Sequence, residues 1–304
     1  MKFAIVGVGG VGGYYGGRLA AGGFDVSFIA RGKTLKALCA HGLSIESALG
    51  DVRVRDLRAT DRPANVGPVD AVLLCVKAYD LESVAASLKP LLHKDSAVLC
   101  PQNGVDAIDR LTTILTRGHV LGAVAYGNTL RVGPGRVKHV GTLARLRIGG
   151  RDDPAQEIAA QITGVFKSCE VDAQVADDID AALWRKFVLF SVMSAACCLS
   201  GLPTGTLRAD PEHRSMLVRG MCETAAVAHA HGVKLESDIV ERSLEIVDGM
   251  AAESLPSMLV DLRDGRPLEI EHLSGTVVRL GNELGVDVPF HSAAYGALKK
   301  HAHV

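Results

Sequence analysis

The N-terminal stretch MKFAIVGVGGVGGYYGGRL constrains the fold of this chain more than any other. An apolar run from Lys2 to Val6 leads directly into the pattern G-x-G-x-x-G, formed by Gly7, Gly9 and Gly12. From Tyr14 on, apolar residues follow at helical spacing. A strand, a glycine-rich turn and a helix in this order are typical of the first unit of a Rossmann-type, dinucleotide-binding sheet.

The glycines of this pattern meet separate physical needs. Gly7 makes the turn out of the strand, Gly9 lets the backbone approach a pyrophosphate, and Gly12 lets the helix lie close to the sheet. Gly10 and Val11 complete the loop, and the helix after it directs unsatisfied N–H groups and the positive end of its dipole at the phosphates. A merely structural glycine turn is the alternative in a chain with 33 glycines. The strand before the loop and the helix after it favour dinucleotide binding.

The end of the second predicted strand, Asp25 to Ala30, indicates which dinucleotide is bound. An NAD-binding chain usually has an Asp or Glu there for the ribose 2′-hydroxyl, whereas this chain has Arg31 and then Lys33. A guanidinium binds a 2′-phosphate through paired, charge-assisted hydrogen bonds, and a carboxylate would repel it. The sequence therefore predicts NADP(H), with Arg31 as the contact and Lys33 as a second one. The alternative is that both are solvated loop charges.

Two continuous apolar runs, Asp70 to Val76 and Ala97 to Cys100, predict strands that are buried on both faces of a parallel sheet. Their carboxyl ends bring Lys77 and Asn103 to the edge where open α/β sheets bind ligands. We therefore expect both side chains at the cofactor. The alternatives are a surface lysine whose stem lies along apolar neighbours and an Asn-Gly turn.

The rest of the chain predicts two domains. Up to residue 177, the patterns indicate an antiparallel edge hairpin over 43–54, a helix over 78–92, four short strands between 120 and 148, a helix over 154–169 and a strand over 171–175. Beyond it they indicate only helices, over 178–200, 211–231, 237–249, 270–284 and 291–300. The predicted fold class is α/β, with an N-terminal Rossmann-type doubly wound sheet in residues 1–177 and a C-terminal all-α domain in residues 178–304.

Composition restricts the partners of the protein. With 33 basic and 34 acidic residues the formal net charge is −1, so nucleic acid and anionic membranes are not expected partners. The longest apolar run, Val188 to Leu199, is too short to span a bilayer. Seven cysteines without a C-x-x-C pair indicate reduced thiols in a cytoplasmic protein. No metal is predicted, because His229 and His231 point to different faces of a helix.

One predicted helix, which contains ALWRKFVLFSVMSAACCL, is apolar on nearly every face and has Lys186 near its middle. A lysine on a buried helix costs free energy unless it is paired or faces a cleft. Phe190 and Ser194 lie on the same stripe of this helix, at i+4 and i+8. Glu269 opens the predicted helix over 270–284, where the helix dipole would stabilise a carboxylate. Glu269 is therefore a candidate partner for Lys186.

Together these segments resemble the ketopantoate reductases (2-dehydropantoate 2-reductases) over essentially the full length. The resemblance implies an NADPH-dependent reduction of a 2-keto acid, with ketopantoate as the leading candidate, in a cleft between a Rossmann domain and a helical domain. It rests on the glycine fingerprint with Arg31, and on Val76-Lys77-Ala78, Gln102-Asn103-Gly104-Val105, Leu183-Trp184-Arg185-Lys186, and Ser257-Met258-Leu259 through Glu269-Ile270.

The resemblance also implies a role for each site residue. Lys186 would be the general acid that protonates the ketone oxygen, and Glu269 would orient that lysine or a substrate hydroxyl. Ser257 would contact the substrate, while Lys77 and Asn103 would line the site near the nicotinamide and the substrate.

Three positions depart from the family pattern, because Phe190, Ser194 and Ser254 stand where members commonly carry asparagines that help hold the 2-keto acid. A phenyl ring cannot form the hydrogen bonds of an asparagine. A more apolar ketone is therefore an alternative substrate. A non-catalytic NADP(H)-binding regulator is a further alternative, but it would need neither Lys186 nor Glu269. An apolar helical domain is compatible with a homodimer.

Overall fold

The computed structural model describes residues 1–302 and divides the chain into two compact units. The N-terminal unit consists of Met1–Gln102 and Ala107–Ile179. The C-terminal unit consists of Asn103–Asp106 and the chain from Asp180 on. The short segment Asn103–Asp106 therefore follows a strand of the first unit in sequence but packs within the second.

The N-terminal unit is built on one sheet. Its strands are β1 (Lys2–Val6), β2 (Asp25–Ile29), β3 (Leu43–Ser47), β4 (Val52–Val54), β5 (Arg58–Thr60), β6 (Ala71–Leu74), β7 (Ala97–Cys100), β8 (His119–Gly133), β9 (Arg136–Gly149) and β10 (Asp172–Val175). The strand order is β4-β3-β9-β8-β7-β6-β1-β2-β5, and β10 pairs with β9. Within it, the parallel neighbours β5-β2-β1-β6-β7-β8 follow the Rossmann order 3-2-1-4-5-6. The predicted Rossmann-type sheet is confirmed.

The helices of the N-terminal unit are α1 (Gly10–Ala21), α2 (Gly32–His41), α3 (Leu81–Ala85), α4 (Ala107–Ile114) and α5 (Asp153–Ser168). Strands β6 and β7 are fully buried, as their continuous apolar sequences predict for strands covered on both faces. The prediction of one continuous helix over 78–92 is wrong. Only α3 within it is α-helical, and 3₁₀ turns flank it, the second of which contains Pro90, which cannot donate a main-chain hydrogen bond.

The antiparallel part of the sheet also differs from the prediction. Instead of four short strands between 120 and 148, β8 and β9 form one long antiparallel pair, and β3 and β4 form the predicted hairpin at the sheet edge. Gly127 has a positive φ of 137°, at an irregularity in the ladder between Tyr126 and Asn128. A glycine inside a strand can mark a bulge as well as a turn, and here the bulge preserves the pairing on both sides.

The C-terminal unit is helical, as predicted. Its helices are α6 (Ile179–Ser200, whose first residue belongs to the N-terminal unit), α7 (Thr204–Ala209), α8 (Pro211–Ala230), α9 (Ile239–Gly249), α10 (Ser257–Arg263), α11 (Ser274–Leu284) and α12 (Pro289–Leu298). Helix α6 is long and apolar enough to cross a membrane, but most of it is buried inside the folded protein, as in a core helix. The sequence does not predict β5, α4, α7 or α10. Of these, β5, α7 and α10 are too short for a clear hydrophobic period.

A buried polar network joins three of these helices. His291 on α12 is fully buried, and its Nε2 lies 2.8 Å from Thr224 Oγ1 of α8 while its Nδ1 lies 3.2 Å from Ser274 Oγ of α11. Burial lowers the pKa of His291 to about 3. The imidazole is therefore neutral at physiological pH, and the network contributes to the packing of the unit.

Candidate active site

The glycine loop at the end of β1 has the close contacts that its sequence predicts. Gly7 has a positive φ of 90°, and a Cβ there would lie 2.6 Å from the carbonyl oxygen of Cys75. A Cβ on Gly12 would lie 2.1 Å from the carbonyl oxygen of Gly7, and one on Gly10 would lie 2.1 Å from that of Thr129. A side chain at Gly7, Gly10 or Gly12 is therefore excluded by main-chain atoms of the same unit.

Gly9 is different, since no protein atom lies within 4 Å of a Cβ added to it. Packing does not require a glycine at this position, whereas the approach of a ligand does. Gly9 is also the N-cap of α1, and no side chain caps this helix end. The first N–H groups of α1 are therefore available to an anion. Val11 is half-buried against the core of the unit. These features fit the pyrophosphate of a dinucleotide.

Arg31 follows β2, the strand that pairs with β1 next to the glycine loop. Strands β1 and β2 are parallel neighbours, and the main-chain N–H of Gly7 donates to the carbonyl oxygen of Ile29, 3.1 Å away. Arg31 follows two residues later as the exposed N-cap of α2, and Lys33 is exposed in the first turn. Within residues 1–302, neither side chain forms a hydrogen bond or an ion pair. Both cations are therefore available to a ligand, although their exposure also fits solvated loop charges.

Lys77 lies beyond the carboxyl end of β6, on the edge of the sheet next to the end of β1. It is half-buried and precedes a 3₁₀ turn that starts at Ala78. The carboxyl ends of parallel strands are the usual ligand side of such a sheet. The N-terminal unit thus places Lys77 on the same edge as the glycine loop.

Lys186 has three defined neighbours within the C-terminal unit. Its ammonium group donates a hydrogen bond to Asn103 Oδ1, 2.9 Å away, and lies 5.2 Å from the centroid of the Phe190 ring. Burial lowers the pKa of Lys186 to about 8, and the charge of Glu269 opposes this shift. Lys186 is therefore an amine that can gain and lose a proton near neutral pH, with a fixed acceptor and an aromatic face beside it.

Glu269 is 4% exposed, and the structure corrects its predicted setting. It precedes a 3₁₀ turn, Ile270–His272, and α11 begins only at Ser274. Leu273, between them, has φ −110° and ψ −98°, which is not helical. The predicted helix start at Glu269 is therefore wrong, and stabilisation by an α-helix dipole does not apply. The charge interaction with Lys186 remains.

The segment that carries Asn103 packs against the residues that follow Glu269. A Cβ on Gly104 would lie 3.0 Å from the carbonyl oxygen of His272, and His272 Nδ1 lies 3.8 Å from Asp106 Oδ2. Neither Asp106 nor His272 was predicted as a site residue. Asp106 follows the predicted site residue Asn103 by three positions, and His272 follows Glu269 by three. This closeness in sequence is the one signal that links them to the site.

The three predicted substrate serines are not joined to Lys186 by hydrogen bonds. Ser194 is buried on α6, two turns beyond Lys186, and Ser257 is the exposed first residue of α10. Ser254 lies in the loop before α10, where its carbonyl oxygen accepts from the main-chain N and from Oγ1 of Thr204, both at 3.0 Å. None of the three serine side chains forms a hydrogen bond within residues 1–302. Over the same residues, no group of three or more His, Cys, Asp or Glu residues could hold a metal ion.

Comparison with known proteins identifies the family of this chain. The sequence pattern described as "Ketopantoate reductase PanE/ApbA" matches residues 3–153, and its C-terminal counterpart matches residues 178–302. The crystal structure of a PanE/ApbA family ketopantoate reductase from Ralstonia eutropha JMP134 is 36% identical, with a TM-score of 0.90, over 99% of this chain and 98% of that one. This chain belongs to the ketopantoate reductase PanE/ApbA family.

Members of the ketopantoate reductase family are oxidoreductases that act on a keto or CH–OH group. The 2-dehydropantoate 2-reductase of Halobacterium salinarum is 30% identical to this member over 295 residues, which are 95% of each chain. The ternary structure of D-mandelate dehydrogenase with NADH and anilino(oxo)acetate has a TM-score of 0.91 at 23% identity, over 99% of this chain and 98% of that one. At that identity the likeness shows a shared fold.

Proposed function

We propose that the protein is an NADPH-dependent reductase that converts a 2-keto acid to the 2-hydroxy acid, with ketopantoate as the leading substrate. The observation that carries this proposal is the setting of Lys186. A catalytic acid needs a pKa near the working pH and a fixed orientation. Lys186 has a pKa of about 8, a hydrogen bond to Asn103 and the opposing charge of Glu269. A protein that only sensed the cofactor would have no use for this arrangement.

The residues of the N-terminal unit fit the cofactor. The glycine loop and the N-terminus of α1 would bind the pyrophosphate, and Arg31 with Lys33 would bind the 2′-phosphate. Lys77 and Asn103 are proposed for the nicotinamide half. When bound, the reduced cofactor supplies the hydride.

The lysine would act on the keto oxygen of the substrate. Reduction of the carbonyl carbon places negative charge on that oxygen, and a positioned ammonium group stabilises this charge and then donates its proton. Asn103 would hold the ammonium of Lys186 in place through the 2.9 Å hydrogen bond. Glu269 would keep the lysine protonated, because a nearby carboxylate favours the charged form.

The substrate contacts are proposed from side chains that have no partner within the described residues. Ser194, Ser254 and Ser257 would offer hydroxyl groups to the carboxylate or the hydroxyl of the 2-keto acid. Hydroxyls of this kind both donate and accept, so they suit a polar, anionic substrate.

Oxidation of NADPH in the presence of a panel of 2-keto acids tests this function. Turnover of ketopantoate and its close analogues, with NADPH preferred to NADH, is the expected result. Cofactor binding without oxidation by any member of the panel would instead indicate a non-catalytic NADP(H)-binding regulator.

A second candidate substrate class is favoured by Phe190. Its half-buried ring lies beside the ammonium of Lys186 at the position where family members commonly carry an asparagine. A phenyl ring would pack against an apolar 2-substituent and would not bond to a hydroxyl group. A 2-keto acid with a larger, more apolar side chain is therefore the alternative to ketopantoate.

Replacing Phe190 by asparagine separates these two candidates. We expect Phe190→Asn to raise kcat/KM for ketopantoate relative to bulkier, more apolar keto acids, because the new amide can bond to a polar substrate. Phe187, on the same helix but fully buried against Trp184, provides the reference for loss of a core ring. Phe187→Ala should lower stability by about 3–5 kcal/mol in a thermal melt. If Phe190→Asn lowers stability as much as Phe187→Ala does and leaves the substrate ranking unchanged, Phe190 belongs to the core.

The pH dependence of the reaction should follow Lys186. Because reduction needs the protonated amine, kcat/KM for the keto acid should be constant below about pH 7 and fall as the pH rises through 8. Oxidation of the hydroxy acid needs the neutral amine and should rise over the same range. Glu269→Gln should move both limbs to lower pH, since it removes the charge that favours the ammonium form. A reduction rate that stays constant up to pH 10 would contradict this assignment.

A further inference from the structure

Gln102 joins the ends of two parallel strands in the N-terminal unit. It follows β7 by two residues and is 7% exposed. Its Nε2 donates to the carbonyl oxygen of Leu74, 2.6 Å away, and to that of Val76, 3.1 Å away. Only the NH₂ end of the amide can face two acceptors, so the orientation of this side chain is fixed by its neighbours.

The other end of the same amide has no partner. Gln102 Oε1 is buried and accepts no hydrogen bond within residues 1–302. An unsatisfied buried acceptor costs free energy, and a methionine of similar volume would avoid that cost. What a glutamine gives this position, and a methionine would not, is a pair of N–H donors for two main-chain carbonyls.

The stretch that these donors hold is in contact with the glycine loop. Cys75 lies between the two bonded carbonyls, and its N–H donates to the carbonyl oxygen of Val6, 2.7 Å away. The carbonyl group of Cys75 faces Gly7. A Cβ added to Gly12 would lie 2.9 Å from the Cβ of Cys75. The same stretch leads directly into Lys77. A shift of residues 74–76 would therefore displace both the support of the glycine loop and the main chain that carries Lys77.

We propose that Gln102 is a positioning residue for the dinucleotide. By holding the carbonyls of Leu74 and Val76, it fixes the end of β6 so that the glycine loop and Lys77 keep the geometry that the cofactor needs. This role rests on the proposed function, which places the cofactor at this edge of the sheet. Binding sites tolerate only small misplacements, so loss of the two bonds should be measurable in cofactor affinity.

The chain offers a matched control at the opposite end of the same two strands. Ser96, directly before β7, is fully buried, and its Oγ donates to the carbonyl oxygen of Val69, 2.7 Å away, ahead of β6. Ser96→Ala therefore removes a buried side-chain bond to the main chain between the same strands, but at their amino ends. It should lower the melting temperature without changing the cofactor edge.

The experiment compares Gln102→Met, Gln102→Asn and Ser96→Ala with the wild type in fluorescence titrations of NADPH and in binding of adenosine 2′,5′-bisphosphate. The asparagine variant keeps the amide but is too short to reach both carbonyls, and it serves if the methionine variant does not fold. We expect both Gln102 variants to bind NADPH more weakly, on the order of tenfold. The bisphosphate keeps the 2′-phosphate for Arg31 and a 5′-phosphate for the glycine loop, but it lacks the nicotinamide half that would lie near Lys77. Its affinity should therefore fall less than that of NADPH in the Gln102 variants and stay within about twofold of wild type in Ser96→Ala.

NADPH affinity within twofold of wild type in the Gln102 variants would overturn the inference alone. An equal loss of NADPH affinity in Ser96→Ala would overturn it as well, because the effect would then be a loss of stability. If the wild type binds neither NADPH nor NADH, the proposed function fails and this inference fails with it.

Discussion

Replacing Lys186 by alanine is expected to lower kcat for reduction of the keto acid by a factor on the order of 10² to 10⁴. As hydride reaches the carbonyl carbon, the oxygen becomes negative, and without Lys186 no ammonium would stabilise that charge or supply the proton. The affinity for NADPH should be nearly unchanged, because the proposed contacts of the pyrophosphate and the 2′-phosphate belong to the N-terminal unit. Single-turnover kinetics with NADPH bound beforehand measure the hydride-transfer step directly.

Arg185→Ala is the matched control for this variant. Arg185 is the preceding cation on α6, and it pairs with Glu236 at 2.8 Å in a partly exposed ion pair. Its loss should cost at most about 1 kcal/mol of stability and leave hydride transfer unchanged. Lys186→Arg should not restore the rate, since a guanidinium stays protonated over the working pH range. A transfer rate within a fewfold of wild type in folded Lys186→Ala would remove Lys186 from the mechanism and weaken the case for an enzyme.

The parts of the fold that could be predicted are those that a short stretch of sequence determines. Strand β1, the glycine loop and α1 follow one another within about twenty residues, and the loop allows few other structures. The buried runs that form β6 and β7 are equally local, because a strand covered on both faces must be apolar throughout. Arg31 could be placed at the end of β2 because it directly follows the residues that predict this strand.

The parts that could not be predicted depend on contacts between distant segments. Gly127 could stand for a turn or a bulge, and only pairing with β9 decides in favour of the bulge. The boundary of the 3₁₀ turn after Glu269 depends on the conformation of Leu273, which no nearby residue type requires. Short elements such as α7 and α10 carry too few residues for a hydrophobic period.

The candidate site likewise combines a feature that local sequence predicts with a contact between distant segments that it does not. The stripe of Lys186 and Phe190 follows from helical spacing, and the structure places the ammonium group beside the ring. Asn103, by contrast, is 83 residues away from Lys186 in sequence, and its segment packs in the other unit from the strand that precedes it. The sequence predicted the residue but assigned it to the cofactor and substrate, and its bond to the lysine became visible only in the structure.

The second large effect concerns the choice of cofactor. We expect the wild type to bind NADPH far better than NADH, and Arg31→Ala to lose most of that preference. Arg31 is exposed at the end of β2, without a partner within residues 1–302, where an NAD-binding chain usually has a carboxylate. Loss of one charge-assisted contact with a phosphate should cost about 1.5–3 kcal/mol, or roughly ten- to a hundredfold in affinity for NADPH.

Titration of both cofactors against three proteins tests this choice. Arg31→Ala should weaken NADPH binding and leave NADH binding nearly unchanged, because NADH has no 2′-phosphate. Lys36→Ala is the control, since Lys36 is an exposed cation in the interior of the same helix, α2, and its loss changes the net charge equally. If both variants weaken NADPH binding by the same small factor, Arg31 is a solvated loop charge and not a contact of the 2′-phosphate. Such a long-range charge effect is small because salt screens it. Equal affinity of the wild type for NADPH and NADH would rule out NADP(H) selectivity altogether, and with it the role that the position of Arg31 predicts.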